Sequence, residues 1–193
     1  MPKLIPQWTE DGVLPPINEE EPTSPERSPY KASLTSFVDR FATTPERCSI
    51  INGYLRHRSE LHSMGLTSGF QWLDGSFLEH IELIEQRVPN DVDVVTFLQI
   101  EDAQAEQLTP DQLRLIVDNE WIKEHYKVDF YLQNLKEEPA ILVSMTAYWY
   151  SMWSHRRTMQ WKGFLQIDLS SSDDAKATEL LAARTLEHAH GQE

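Results

Sequence analysis

Leu34, Phe37, Val38 and Phe41 recur at the three-and-four spacing of one helical face and open the regular part of the chain. Thr44-Pro45 reads as an N-cap with proline in the first turn of a second helix, whose apolar stripe is Cys48, Ile51, Tyr54, Leu55 and Leu61. Arg56, His57, Arg58 and Glu60 fall mostly outside that stripe, so Arg56 and Arg58 are expected on the solvated side, and Gly65 is placed to end the helix. The period then shortens to two. Strands are predicted over 66–74, 91–98, 126–133 and 161–169. Between them, Leu78, Ile81 and Ile84 suggest a short helical turn inside the connector Phe77–Asn90, and Thr109-Pro110 begins an amphipathic helix carrying Leu113, Ile116, Val117 and Trp121. Residues 140–153 are apolar and aromatic and select neither period, while Leu180, Leu181 and Arg184 mark a final helix from Asp173. Helix and strand runs alternate through the middle, which predicts an α/β (α+β) fold: a twisted mixed sheet flanked by helices.

Residues 1–31 break this pattern. Pro2, Pro6, Pro15, Pro16, Pro22, Pro25 and Pro29 rule out a helix and make the segment an extended or irregular N-terminal extension to a domain over 32–193. Leu4, Ile5, Trp8, Val13, Leu14 and Ile17 are placed to pin its first half to the domain, and Glu19–Pro29 reads as a solvated linker. The formal net charge of −14 argues against non-specific nucleic-acid binding or attraction to anionic membrane. The single cysteine, Cys48, excludes an intramolecular disulfide and sits on an apolar stripe, as a buried thiol would. With no apolar run of spanning length and no signal-like start, the expected location is cytoplasmic.

Candidate chemistry gathers around Asp91-Val92-Asp93. Two aspartates one residue apart on a strand point to the same side, and such a pair is unfavourable unless a cation sits between them. A divalent metal with hard oxygen ligands is the usual solution, and Asp129 is placed on the polar side of the next strand to join it. Gly75-Ser76 ends the preceding strand with amides and a hydroxyl suited to phosphate oxygens. The plainer alternative is that Asp91 caps a strand entry and Asp93 is solvated.

The order Leu73-Asp74-Gly75-Ser76, Asp91-Val92-Asp93-Val94, Val128-Asp129-Phe130 resembles the nucleotidyltransferase superfamily that includes DNA polymerase β and small bacterial transferases of toxin–antitoxin loci. The resemblance covers roughly 66–133. Ile5-Pro6-Gln7-Trp8, Gly12-Val13-Leu14-Pro15-Pro16 and Trp161-Lys162-Gly163-Phe164 are similar to a poorly characterised bacterial branch of it. It implies that Asp91, Asp93 and Asp129 hold two Mg²⁺ ions and that Gly75 and Ser76 grip the phosphates of a nucleoside triphosphate. The implied reaction moves a nucleoside monophosphate to a hydroxyl on a protein, a tRNA end or a small molecule, in some relatives on a partner protein encoded nearby in a toxin–antitoxin or phage-defence locus. The chain departs from the pattern in two places. Phe-Leu-Glu follows Ser76 where many small members carry an arginine, and Phe77–Asn90 is long. A catalytically inactive protein-interaction module on the same fold is the alternative.

Basic partners for phosphate are few. His155-Arg156-Arg157 is the one dense cluster, read either as a bidentate phosphate clamp or as an exposed loop. Lys127, two residues before Asp129, is expected on the same strand face, contacting phosphate or neutralising aspartates. Tyr148-Trp149-Tyr150-Ser151-Met152-Trp153 offers aromatic faces for a base, with core packing or a protein interface as the commoner use. The seven histidines show no zinc spacing.

Overall fold

The computed structural model describes residues 5–190, apart from the side chain of Asp102. In chain order the elements are β1 (Tyr30–Ala32), α1 (Leu34–Phe41), α2 (Pro45–Ser63), β2 (Gly69–Asp74), α3 (Ile81–Ile84), β3 (Val92–Leu98), α4 (Asp102–Ala105), α5 (Pro110–Val117), α6 (Asn119–Tyr126), β4 (Val128–Asn134), α7 (Pro139–Trp153), β5 (Leu165–Asp168) and α8 (Asp174–His190). The strands form one five-stranded sheet in the order β1-β5-β2-β3-β4. β2 runs antiparallel to both β3 and β5, whereas β1–β5 and β3–β4 are parallel. The fold is therefore mixed α/β, a mixed sheet flanked by helices.

Strand alternation gives the sheet two unlike faces. One carries Gln71, Leu73, Val94, Thr96 and Phe130 and packs under α2. Its centre is polar and fully buried: Gln71 Oε1 accepts from Tyr54 Oη at 2.7 Å and from Arg58 Nη1 at 2.6 Å, and Gln71 Nε2 donates to Thr96 Oγ1 at 2.9 Å. Arg58 also grips Asp174 at the start of α8, with Nη2 2.9 Å from Oδ1, and donates to the Asp168 and Ser170 carbonyls. Arg56 is exposed as its position predicts, but Arg58 and His57 are fully buried. α2 is covered by the sheet on one side and by α8 and α6 on others, so its buried arc is wider than the apolar stripe.

The opposite face carries Phe70, Trp72, Val95, Phe97 and Tyr131 and lies beneath α7. The ambiguous stretch 140–153 is this helix, opened by Pro139 in its first turn. It reaches the core through Trp149, 4.9 Å from the Tyr131 ring, and Trp153, 6.0 Å from the Phe164 ring. The helix predicted from Thr109 is two, because Asp118 leaves helical geometry and its side chain caps α6 through Trp121 N at 3.1 Å. At the end of α6, Lys127 adopts left-handed geometry, so β4 begins one residue later and Lys127 does not belong to the strand.

The proline-rich start is tied down as its apolar residues predict. Ile5, Val13 and Leu14 are buried, and Trp8 Nε1 donates to Leu78 O at 2.7 Å. Trp8 lies between the His80 ring, 4.5 Å away, and the Arg40 guanidinium, 4.0 Å away. Residues 19–29 are largely exposed, though Ser24 and Ser28 are buried. Leu4 lies outside the described residues. Among these residues no helix is long and apolar enough to cross a membrane.

The buried Arg58 cluster generates a stability prediction. Arg58→Met leaves Asp174 without its arginine and removes one of the two donors to Gln71 Oε1, lowering the unfolding free energy by about 3 kcal/mol, whereas Arg56→Ala, at an exposed position, changes it by less than about 1 kcal/mol. Urea denaturation of the two variants checks this, and similar losses for both would refute it.

Candidate active site

The register of the sheet lines up three carboxylates. Asp74 is paired with Asp93 across the antiparallel β2–β3 ladder, and Asp93 with Asp129 across the parallel β3–β4 ladder. Cross-strand partners point to one side, so the three form a row on the α7 face at one end of the sheet. Asp91, two residues before Asp93, projects to the same side. Immediately after Asp74 the chain turns at Gly75, with φ +84°, where a Cβ would also collide with the Asp93 carboxylate. Glycine is required there on both counts.

Two lysines answer the row's charge. Lys162, buried just before β5, places Nζ 3.0 Å from Asp74 Oδ1 and 3.0 Å from Glu79 Oε1. Lys123, on α6, places Nζ 2.8 Å from Asp91 Oδ2 and 2.8 Å from Asp129 Oδ2. Asn119, at the start of α6, donates to Asp129 Oδ1 at 2.8 Å and accepts from Phe130 N at 2.8 Å, which fixes the Asp129 carboxylate against its own strand. Arg156 closes the next side, with Nε 3.0 Å from Glu79 Oε2 and Nη2 2.6 Å from Glu85 Oε1.

These contacts separate the acids electrostatically. Burial, opposed by Lys162, pushes Asp74 up to about 6. Burial together with Asp74, Asp129 and Asp91 pushes Asp93 up to about 7. Asp129 moves the other way: burial would raise it, but hydrogen bonds from Lys123 and Asn119 outweigh that and hold it below the usual carboxylate range. Burial would depress Lys162, yet Asp74 and Glu79 raise it above the usual lysine value. Asp93 is thus the group on which the row's unbalanced charge falls.

A cavity of about 610 Å³ opens over the row. It is lined by Asp91, Asp93 and Asp129, by Gly75 and Ser76, and by Arg156 and Arg157, so seven of the residues singled out in the sequence share one pocket. Lys127 does not line it: its Nζ donates to Ser49 Oγ at 3.1 Å, on the α2 side. The left-handed cap at Lys127 breaks the strand alternation that would have placed it beside Asp129. Several partners were not legible in the sequence. Asp74 and Glu79 flank the Gly75-Ser76 turn, Asn119 and Lys123 share α6, and Lys162 lies in Trp161-Lys162-Gly163-Phe164, so the partners come from three separate stretches.

Among the described residues no three Asp, Glu, His or Cys side chains are gathered so as to hold a metal ion. The Lys123 ammonium bridges Asp91 and Asp129. The donor set nevertheless suits a hard divalent ion, since Asp91, Asp93 and Asp129 offer carboxylate oxygens on one face and Asp93 carries a charge that its surroundings disfavour. A metal and these residues are chemically matched, with Lys123 as the competing cation.

The chain belongs to a family of unknown function (DUF6932), whose model matches residues 6–168. That span takes in the whole carboxylate row, both lysines and Arg156. No curated protein and no solved structure matches the chain.

Asp93 has a measurable consequence for stability. Its folded pKa lies near 7, above the ordinary aspartate value of about 3.9. Its contribution is therefore fully present below about pH 4 and is lost as pH rises through 7. Asp93→Asn removes that loss: the variant gains on the parent between about pH 4 and 7 and holds a plateau of about 1–2 kcal/mol above pH 8, after discounting for partial exposure. Denaturation across pH checks this, and a difference independent of pH would refute it.

Proposed function

We propose that the chain is a Mg²⁺-dependent nucleotidyltransferase that moves a nucleoside monophosphate from a nucleoside triphosphate to a hydroxyl acceptor and releases pyrophosphate. The observation that carries this reading is the row Asp74–Asp93–Asp129 on adjacent strands, with Asp91 beside it and the Gly75–Ser76 turn abutting Asp93 in the same pocket. The resemblance noted in the sequence supports it, because the ordered parts fall on three neighbouring strands of a mixed sheet.

Asp91, Asp93 and Asp129 would hold the metal, two ions on the family pattern. Bound Mg²⁺ would supply charge neutralisation at the phosphates and activation of the acceptor oxygen. Ser76 and the amides after Gly75 would receive phosphate oxygens. Arg157, exposed at the rim, and Arg156, oriented by Glu79 and Glu85, would face the triphosphate. Asp129, kept ionised by Lys123 and Asn119, would accept the hydrogen bond of the acceptor hydroxyl. Lys123 would have to release Asp91 and Asp129 to a bound cation, and its ammonium would then be free to contact phosphate.

One observation favours a second reading, in which the fold is a scaffold for protein interaction without catalysis. Lys123 and Lys162 already satisfy much of the acids' charge, so the row is stable without metal.

Calorimetry with ATP, GTP, CTP and UTP, with and without Mg²⁺, separates the two. The transferase reading expects Mg²⁺-dependent binding of at least one triphosphate, weakened at least about tenfold in Asp91→Asn/Asp93→Asn. It also expects Lys123→Met, which frees the carboxylates, to bind Mg²⁺ more tightly than the parent. Well-folded protein that binds no triphosphate would sink the transferase reading and leave the scaffold.

A further inference from the structure

Helix α7 is made of fifteen residues, none of them charged, in a chain in which 25% of residues are charged. A helix apolar all round belongs in a core. Of this one, only Trp149 and Trp153 are buried, whereas Val143 is 70% and Tyr148 53% exposed. The side away from the sheet has an ordered profile. Ala140, Ser144, Ala147 and Ser151, all exposed, follow each other at four-three-four spacing along the line opposite the two tryptophans. Ile141, Tyr148 and Met152 stand along one edge of that line, and Val143 and Tyr150 along the other. The result is a shallow groove floored by small side chains between apolar rims, the shape that lets two helix backbones approach closely.

We propose that this face is the seam of a homodimer, in which α7 of a second copy packs antiparallel in the groove about a two-fold axis near Ala147. Charge selects the occupant. Two copies with a net charge of −14 each repel on the whole, and α7 offers each a charge-free strip. The ends of the strip are complementary as well. Glu137 and Glu138 are exposed at its start and Arg157 at its finish, so antiparallel pairing brings the acidic end of each copy to the basic end of the other, while parallel pairing would oppose like charges. A two-fold axis makes the same patch serve both sides. Because Met152 and Arg157 also line the cavity over the carboxylate row, the seam runs to the mouth of that pocket.

Light scattering after size exclusion at about 100 µM tests the proposal, since association depends on concentration. The expected mass is 44.8 kDa, twice the 22.4 kDa of one chain. Ala147→Glu puts two carboxylates face to face at the axis from a position already exposed. It is expected to keep its circular dichroism and to weaken association by about 100-fold. Ala147→Cys is expected to give an intermolecular disulfide on oxidation. A parent of 22.4 kDa at that concentration overturns the homodimer and leaves the face to a different protein. An Ala147→Glu variant that remains a dimer overturns α7 as its seam.

Discussion

A buried ammonium makes the carboxylate row possible. Asp74, Asp93 and Asp129 stand side by side because the ladders of β2, β3 and β4 place them in register, and backbone pairing holds them there whatever their charge. Lys162, nine-tenths buried, meets Asp74 and Glu79 at 3.0 Å each and lets β2 end in an acid beneath the protein surface. Removing one partner of such a pair leaves the other stranded, a penalty of about 3–5 kcal/mol that is a large share of a typical domain's stability. Lys162 also explains why the N-terminal segment is part of the same body. Gly163, its neighbour, donates its amide to Leu14 O at 2.7 Å, and a side chain there would strike the Pro15 carbonyl, so the segment bearing the lysine is clamped against residues 14–15.

The two faces of the sheet divide the labour. Under α2, Gln71, Tyr54, Thr96 and Arg58 form a closed polar network with matched donors and acceptors, which fixes the helices to the sheet. Under α7 the acids at one end are incompletely matched, and their imbalance settles on Asp93. A site that binds a cation needs such an imbalance, because fully satisfied carboxylates gain little from a metal. Lys123 is the adjustable member: it is half-exposed on a helix, reaches both Asp91 and Asp129, and can be exchanged without breaking the core.

What the sequence revealed follows from how local each signal was. The D-x-D pair, the Gly-Ser turn and Asp129 each announce themselves within a few residues, and strand alternation with the register of β2, β3 and β4 brings them to one side. The α1 stripe and the Thr44-Pro45 and Thr109-Pro110 starts are equally local, and each stands where its pattern predicts. Lys123 is a single charge in an ordinary context and Lys162 a single charge within Trp161-Lys162-Gly163-Phe164, and their roles exist only once β5 lies beside β2 and α6 lies over β4. Lys127 illustrates the reverse error. Two-residue spacing from Asp129 suggested a shared face, and a single left-handed residue removed it. Arg58 looked solvated because helical periodicity counts apolar side chains, whereas this helix buries a cation with its own acceptors.

On the proposed transferase reading, the charge unbalanced at Asp93 is there to be met by a divalent cation. Carboxyl ¹³C NMR reads it directly, by titrating Asp93 with and without Mg²⁺. Without the ion the carboxyl should titrate near 7. Saturating Mg²⁺ should lower that value by at least about one unit, since a cation beside a carboxylate favours its charged form. A titration that Mg²⁺ leaves unchanged would show that Asp93 does not meet the ion.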